Sequence, residues 1–306
     1  VSRFAPAPTG LLHLGHVVNA IYVWGVTKAA GGRVLLRIED HDRQRSRPAY
    51  ERAILEDLAW LGFAPDEPPV QALLDGRCDY RQSDRAPLYE AALTDLRARG
   101  RVYACDCSRS DIAKAGGAGG EFRYPGTCRD RNLPEGPGRG LRVRLDAVTE
   151  RFDDVRHGPQ EQRPFDQCGD LLARDRDGNW TYQFAVTVDD WRQGVTLVVR
   201  GDDLLSSTGR QIQLARLLGR DTPPVFLHHA LVMKTPTQKL SKADRDTSVH
   251  DLRVSGRSAA DVIGEAAALA GLTERRRALA AGDVTRLESV ERLARLVDSS
   301  PPRRGS

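Results

Sequence analysis

With 306 residues, 40% of them hydrophobic, the chain is long enough to bury a sizeable core and to divide into about two domains. Its 46 basic and 42 acidic residues leave a net charge of +4, which does not by itself demand a nucleic-acid partner, although local basic patches can still contact phosphates. The longest apolar stretches, such as 195–199, fall far short of the ~20 residues of a membrane-spanning helix, and Val1-Ser2-Arg3-Phe4-Ala5-Pro6 is not a charged-then-apolar leader, so membrane insertion and secretion are not expected and a cytoplasmic location is.

In chain order, the opening reads as a strand end and then a turn, Pro6-Ala7-Pro8-Thr9-Gly10. A helix is predicted over 16–30, where Val17, Ala20, Ile21, Trp24 and Lys28 recur at three-and-four spacing. Residues 33–39 form a short β-rich run, and a polar loop leads to an amphipathic helix over 50–61. Strand, helix, strand, helix is the rhythm of an α/β layer on a parallel sheet. A further helix is predicted over 86–99, after which the rhythm breaks. Residues 105–168 are rich in Gly, Pro, Arg and Asp, with β-like pieces at 141–145 and 152–155, and read as an inserted, loop-rich subdomain. Alternation resumes over 180–188 and 194–200, then a helix over 208–218 and a run over 225–233, which completes the interrupted sheet. From 258 onward the chain is Ala/Leu/Arg-rich and helical, and a terminal Pro-Pro-Arg-Arg-Gly-Ser tail is expected to be disordered.

Three features carry chemistry. His13-Leu14-Gly15-His16 falls where a turn enters a helix; the unpaired N–H groups there suit a triphosphate, and two histidines can donate to phosphate oxygens whose charge grows in a transition state. Only five of the 46 basic residues are lysines, and three of them, Lys234, Lys239 and Lys242, fall within nine residues. Lys239-Leu240-Ser241-Lys242 has the composition of a mobile surface loop able to bring two ammonium groups onto the β- and γ-phosphates of ATP. Cys105, Cys107 and Cys128 crowd one segment, while Cys78 and Cys168 stand apart, which is the pattern of a metal site with spares rather than of a disulfide framework. Three thiolates suit a tetrahedral zinc and leave its fourth ligand open.

Taken with Arg3-Phe4-Ala5-Pro6, Thr9-Gly10, Arg37-Ile38-Glu39-Asp40 and Val199-Arg200-Gly201-Asp202-Asp203, the His13 and Lys239 motifs resemble, in order over roughly 3–245, the class I aminoacyl-tRNA synthetases of the glutamyl type. Only 64 residues follow Lys242, room for a small helical region but not for an anticodon-binding one, and this shorter form resembles the glutamyl-Q tRNA(Asp) synthetases, which attach glutamate to the queuosine base of mature tRNA(Asp). The resemblance implies an α/β, Rossmann-type catalytic domain over 1–104 and 176–233. It implies an inserted zinc-binding acceptor subdomain over 105–175, and a lysine loop with a helical stem-contact region over 234–306.

It also implies site roles. His13, His16, Lys239 and Lys242 are the expected catalytic residues, and Pro6, His13, Gly15, His16 and Lys242 the expected ATP contacts, with Mg²⁺ accompanying the nucleotide. Arg3, Tyr182 and Arg200 surround the side-chain carboxylate of L-glutamate, Glu39 takes its α-ammonium, and Phe4, Ala5, Pro6 and Ala7 complete the pocket. The family usually has serine where this chain has Ala7, so a hydroxyl contact to the amine is missing. One structural zinc is held by Cys105, Cys107, Cys128 and a tyrosine oxygen, Tyr124, with His157 the competing fourth ligand. The expected partners are ATP, L-glutamate and queuosine-containing tRNA(Asp), whose stem-loop Arg123, Arg129 and Arg131 would cradle; the protein is expected to be a monomer. Three other readings remain: a minimal glutamyl-tRNA synthetase charging the 3′ end, a non-catalytic RNA-binding paralog, and a small-molecule adenylyltransferase. The intact histidines and lysines speak against the second, and the cysteine segment and glutamate-pocket residues against the third.

Overall fold

The computed structural model describes residues 1–115, 123–235, 238–239 and 247–299. Lys242 and the terminal 301–306 lie outside them. Two short strands open the fold: β1 (Ser2–Phe4) pairs in parallel with β2 (Val34–Leu36), and between them runs α1 (Leu14–Ala29). Helix α1 is buried nearly all round, from Val17 to Thr27. A helix apolar on every face belongs in an interior, and α1 packs against β1, β2 and β8 (Leu197–Gly201) on one side and against α10 (Ala259–Leu269), the 3₁₀ turn Ala281–Arg286 and α11 (Glu288–Ser299) on the other. The polar segment after β2 leads to α2 (Pro48–Leu61), which starts on a proline at its first turn and stops at Gly62 with φ +83°.

The completed parallel sheet has β8 beside β9 (Val225–His229), β9 beside β5 (Glu150–Asp154), and β6 (Gly158–Gln162) antiparallel at the edge. The Val1 carbonyl accepts from the Thr196 and Leu197 N–H groups (2.9 and 3.0 Å), which lays β1 along the start of β8. Strands β5 and β6 fall inside the segment read from sequence as an insert, yet Asp154 pairs with Phe226 of the central sheet. The β-like piece read at 152–155 overlaps β5, whereas β6 carries no alternating apolar side chains to mark it as a strand. A second sheet, β3 (Val102–Cys105), β4 (Gly140–Val143) and β7 (Leu171–Arg174), is antiparallel. It shares a core with α4 (Ala86–Ala98), α7 (Tyr182–Arg192) and α8 (Thr208–Leu217).

Period-2 alternation in the central sheet decides which side chains reach the site. Leu197, Val199 and Leu227 enter the core on the α1 side, while Leu35, Val198 and Phe226 enter the core on the opposite face with Ile212 of α8. Arg3, paired with Leu35, and Arg200 and His228, two residues beyond Val198 and Phe226, therefore share the α8 face. His229 turns the other way and stacks on Tyr22 of α1 at 4.6 Å. Among the described residues no helix is long and apolar enough to cross a membrane.

Candidate active site and cysteine cluster

A cavity of about 760 Å³ opens where the parallel strands end, and Arg3, Ala5, Ala7, His13, Gly15, His16, Glu39, Tyr182 and Arg200 all line it. Sequence separations of up to 197 residues are thus collapsed into one volume at the carboxyl ends of parallel strands, the usual location for a ligand in an open α/β sheet. Phe4 and Pro6 are not among its lining. Both are buried, and Phe4 points with Trp24 into the core (ring centroids 5.3 Å apart), because Phe4 lies on the face of β1 opposite to Arg3. Lys239 falls in the two-residue strand β11 (Gln238–Lys239), paired with β10 (Met233–Thr235).

His13 is the N-cap of α1, and the two histidines form a reciprocal cap. His13 Nδ1 accepts from the Gly15 N–H and His16 Nδ1 from the His13 N–H, both at 3.1 Å. A neutral ring that accepts at Nδ1 carries its proton on Nε2. Capping therefore sets both rings as Nε2–H donors beside the helix N-terminus. A Cβ at Gly15 would stand 2.9 Å from His13 Cε1 and 3.0 Å from its Nδ1, so a side chain there would displace the His13 ring from its cap.

Behind the cavity lies a buried ionic network. Arg3 Nε donates to both oxygens of Asp190 (3.0 and 3.2 Å), and Arg37, fully buried, donates to Asp190 (2.8 Å) and to Glu39 (2.9 Å). Burial opposes the charge of Arg37, but Asp190, Glu39 and Asp189 around it raise its pKa well above the ordinary value. Glu39 is therefore ion-paired with Arg37 rather than with Arg200. Arg200 is held instead by His228 Nε2 (2.9 Å), Gln211 Oε1 (2.7 Å) and Thr208 Oγ1 (2.9 Å). Burial, followed by the proximity of Glu39, raises the pKa of the Tyr182 phenol, so the hydroxyl stays protonated in the cavity.

The sequence reading missed several cavity residues, His41, Asn19 and His229 among them. The His41 Nδ1 lies 2.6 Å from Gln82 Oε1, and Gln82 Nε2 donates to the fully buried Asp189 (2.8 Å), which also accepts from Arg85 and Tyr89. His229 Nε2 meets Asn19 Oδ1 at 3.0 Å. A lone histidine in a polar loop carries no spacing signal; only its partners, brought from other elements, mark it.

The cysteine segment closes on itself as expected. One Sγ from each of Cys105, Cys107 and Cys128 lies within 4.8 Å of the others, with Cys107 and Cys128 3.5 Å apart. The Tyr124 hydroxyl is 3.5 Å from Cys105 Sγ and accepts from the Cys128 N–H at 2.8 Å. His157 is elsewhere, with Nε2 2.8 Å from Asp202 Oδ1. Burial and the adjacent sulfurs push the Cys107 thiol up to about 12, a repulsion between thiolates that a bound divalent cation relieves. Of the three arginines singled out from sequence, Arg123 and Arg129 lie over the Phe165 ring and Arg131 donates to Asp106 (3.0 Å).

Comparison with known proteins follows the same lines as this geometry. The model of the tRNA synthetases class I (E and Q), catalytic domain, matches residues 1–295. The chain is 42% identical over 283 residues to the glutamyl-Q tRNA(Asp) synthetase of Rhodobacter capsulatus, covering 86% of this chain and 98% of that protein. It is 46% identical over 254 residues to that of Geobacter sulfurreducens, covering 81% and 77%. Among solved structures, the glutamate tRNA ligase of Elizabethkingia meningosepticum, in complex with its amino acid, superposes with a TM-score of 0.76 at 25% identity over 95% of this chain. The chain spans about two thirds of that ligase, 64% of its length. By the family match over nearly its whole length and by these relatives, the chain belongs to the class I tRNA synthetases of the E and Q group, in the glutamyl-Q tRNA(Asp) synthetase family.

Proposed function

We propose that the protein activates L-glutamate with ATP and transfers it to the queuosine base of tRNA(Asp). The observation that carries this reading is the likeness, at 41–46% identity over 78–89% of the chain, to eight relatives each named glutamyl-Q tRNA(Asp) synthetase. The cavity supports it chemically. Glutamate's α-carboxylate is ionised at neutral pH and needs no general base to attack the α-phosphorus of ATP, so positioning and charge stabilisation carry the first step. The Nε2–H groups of His13 and His16 are set to donate to phosphate oxygens there, and the family resemblance gives Lys239 and Lys242 the leaving pyrophosphate. Mg²⁺ carried with ATP adds charge neutralisation at the same phosphates. Arg3 and Arg200 receive the side-chain carboxylate, Tyr182 donates its hydroxyl, and Glu39 takes the α-ammonium. In the second step a hydroxyl of the queuosine cyclopentenediol attacks the activated acyl carbon, forming an ester and releasing AMP.

In this reading the segment 105–175 is the acceptor subdomain, with a structural zinc held by Cys105, Cys107, Tyr124 and Cys128. Four protein ligands leave no position for a catalytic water. Tyr124 is favoured over His157 by its 3.5 Å approach to Cys105. Elemental analysis is expected to find one zinc per chain, and Cys128→Ser to lose it together with thermal stability of the segment. Metal-free native protein would remove the site, while zinc retained in Tyr124→Phe would remove only the tyrosine.

The acceptor decides the function. Labelled glutamate is expected on queuosine-containing tRNA(Asp), retained after removal of the 3′-terminal adenosine and absent when guanosine occupies the wobble position. Label that disappears with the 3′ adenosine and ignores queuosine would install a minimal glutamyl-tRNA synthetase instead.

A further inference from the structure

Among the described residues three arginines line the cavity; Arg3 is ion-paired with Asp190 and Arg45 with Asp42, while Arg200 forms no ion pair with any described residue. Its nitrogens donate to three neutral acceptors, His228 Nε2, Gln211 Oε1 and Thr208 Oγ1, and all four residues are buried. An imidazole nitrogen accepts only while its proton is on the other nitrogen. His228 Nδ1 lies 2.7 Å from Oδ2 of Asp154, which is buried and also accepts the His228 N–H at 3.1 Å. The second oxygen, Oδ1, is occupied by the N–H groups of Arg156 and His157, both at 3.0 Å. A carboxylate only accepts, so the ring proton sits on Nδ1 and Nε2 is left as a lone pair facing Arg200.

We propose that Asp154 and His228 are positioning residues for amino-acid selection: they lock Arg200 through a neutral ring, so that the guanidinium is fixed while its charge is left for the side-chain carboxylate of the substrate. This rests on the reading of Arg200 as a carboxylate contact. A carboxylate placed directly on Arg200 would hold it equally well but would cancel that charge, as Asp190 does at Arg3. Discrimination between glutamate and glutamine then falls mainly to Arg200, since an amide leaves its charge unmet in a dry site.

The test exploits the tautomer. In Asp154→Asn the amide oxygen keeps the Arg156 and His157 N–H groups, which turns the NH₂ toward Nδ1, gives up the bond from the His228 N–H and drives the ring proton onto Nε2, against the Arg200 Nε–H. Glutamate-dependent ATP–pyrophosphate exchange by the full chain is expected to show a glutamate KM raised about tenfold, with kcat and the ATP KM changed by no more than about twofold and glutamate's advantage over glutamine reduced. His228→Gln offers an acceptor with no tautomer to invert. Its own glutamate KM is the reference, and addition of Asp154→Asn to it is expected to cost nothing more. Equal losses from Asp154→Asn in both backgrounds would mean that the carboxylate only supports the fold, and would overturn the proposal. Should Asp154→Asn not fold, His228→Leu removes the neutral acceptor itself at similar volume; an unchanged glutamate KM there would overturn the proposal as well. Arg200→Lys separates the two levels: if it binds glutamate like the parent, the reading of Arg200 itself fails, whereas loss there with none at Asp154→Asn removes only the relay.

Discussion

Gly15 sits within a few ångströms of two functions, the start of α1 and the orientation of His13. An alanine at this position would gain helix propensity, about 1 kcal/mol over glycine. Its methyl would meet the His13 ring at 2.9 Å and force it off the cap to the Gly15 N–H, which costs a similar amount. Gly15→Ala is therefore expected to fold with stability within about 1 kcal/mol of the parent while losing roughly a hundredfold in adenylate formation, because the Nε2–H donor is turned away. Parallel denaturant titration and pyrophosphate exchange check both halves. Unchanged exchange would mean that His13 serves only as a cap.

At the scale of elements, the contact of α2 with α9 (Val249–Val254) contains an ionisable group poorly suited to its surroundings. Asp57 of α2 is fully buried, and neither carboxylate oxygen has a hydrogen-bond partner among the described residues. Arg253 approaches to 3.5 Å but also serves Glu56 at 3.3 Å. Burial pushes the Asp57 carboxyl up to about 6 despite the attraction of Arg253 and His250. The folded state thus binds this proton more tightly than the unfolded state, so the group's contribution to stability is greatest at low pH and falls as pH rises from the ordinary aspartate range through about 6. Asp57→Asn removes the charge and keeps the shape. It is expected to stabilise the protein by about 3 kcal/mol at pH 7 and by about half a kcal/mol near pH 4. Thermal unfolding at the two pH values measures the difference, and a destabilised asparagine variant at pH 7 would show that the pair with Arg253 outweighs desolvation.

At the scale of the whole molecule, the C-terminal helices are not an appendage. One apolar core runs from Phe4 and Leu36 through α1 to Val262, Val284, Val290 and Ala294. Val290 of α11 stands where a Cβ on Gly25 would collide at 2.9 Å, so helix and helix meet at a glycine without room to spare. Val290→Ala opens a cavity at this contact and is expected to cost about 2 kcal/mol. It should lower one shared unfolding transition, followed alike by far-UV circular dichroism and by loss of nucleotide binding. A separate early transition of the C-terminal helices would contradict a common core.

Two motifs legible in the sequence keep their residues together in the fold because each is short and its geometry local. His13-x-Gly15-His16 needs only one helical turn to become a cap, and Cys105, Cys107 and Cys128 need only a compact segment to converge. The three-and-four spacing of α1 and α2, and the β-rich run at 33–39, were visible for the same reason, since periodicity reports which face is buried. The edge strand β6 escaped because the face it turns inward, Gly158, Gln160 and Gln162, carries no apolar side chain. The sequence by itself determined the α/β alternation, the His13-x-Gly15-His16 helix entry and the convergence of the three cysteines. Tertiary structure alone decided who partners whom. It assigned Glu39 to Arg37, turned Phe4 into the core, set His228 between Asp154 and Arg200 across separations of 74 and 28 residues, and joined His41 through Gln82 to Asp189, 107 residues from that glutamine. Such pairings are chosen by which faces of separate strands and helices meet, and a charge or a lone pair in the linear chain carries no mark of the partner that burial will supply.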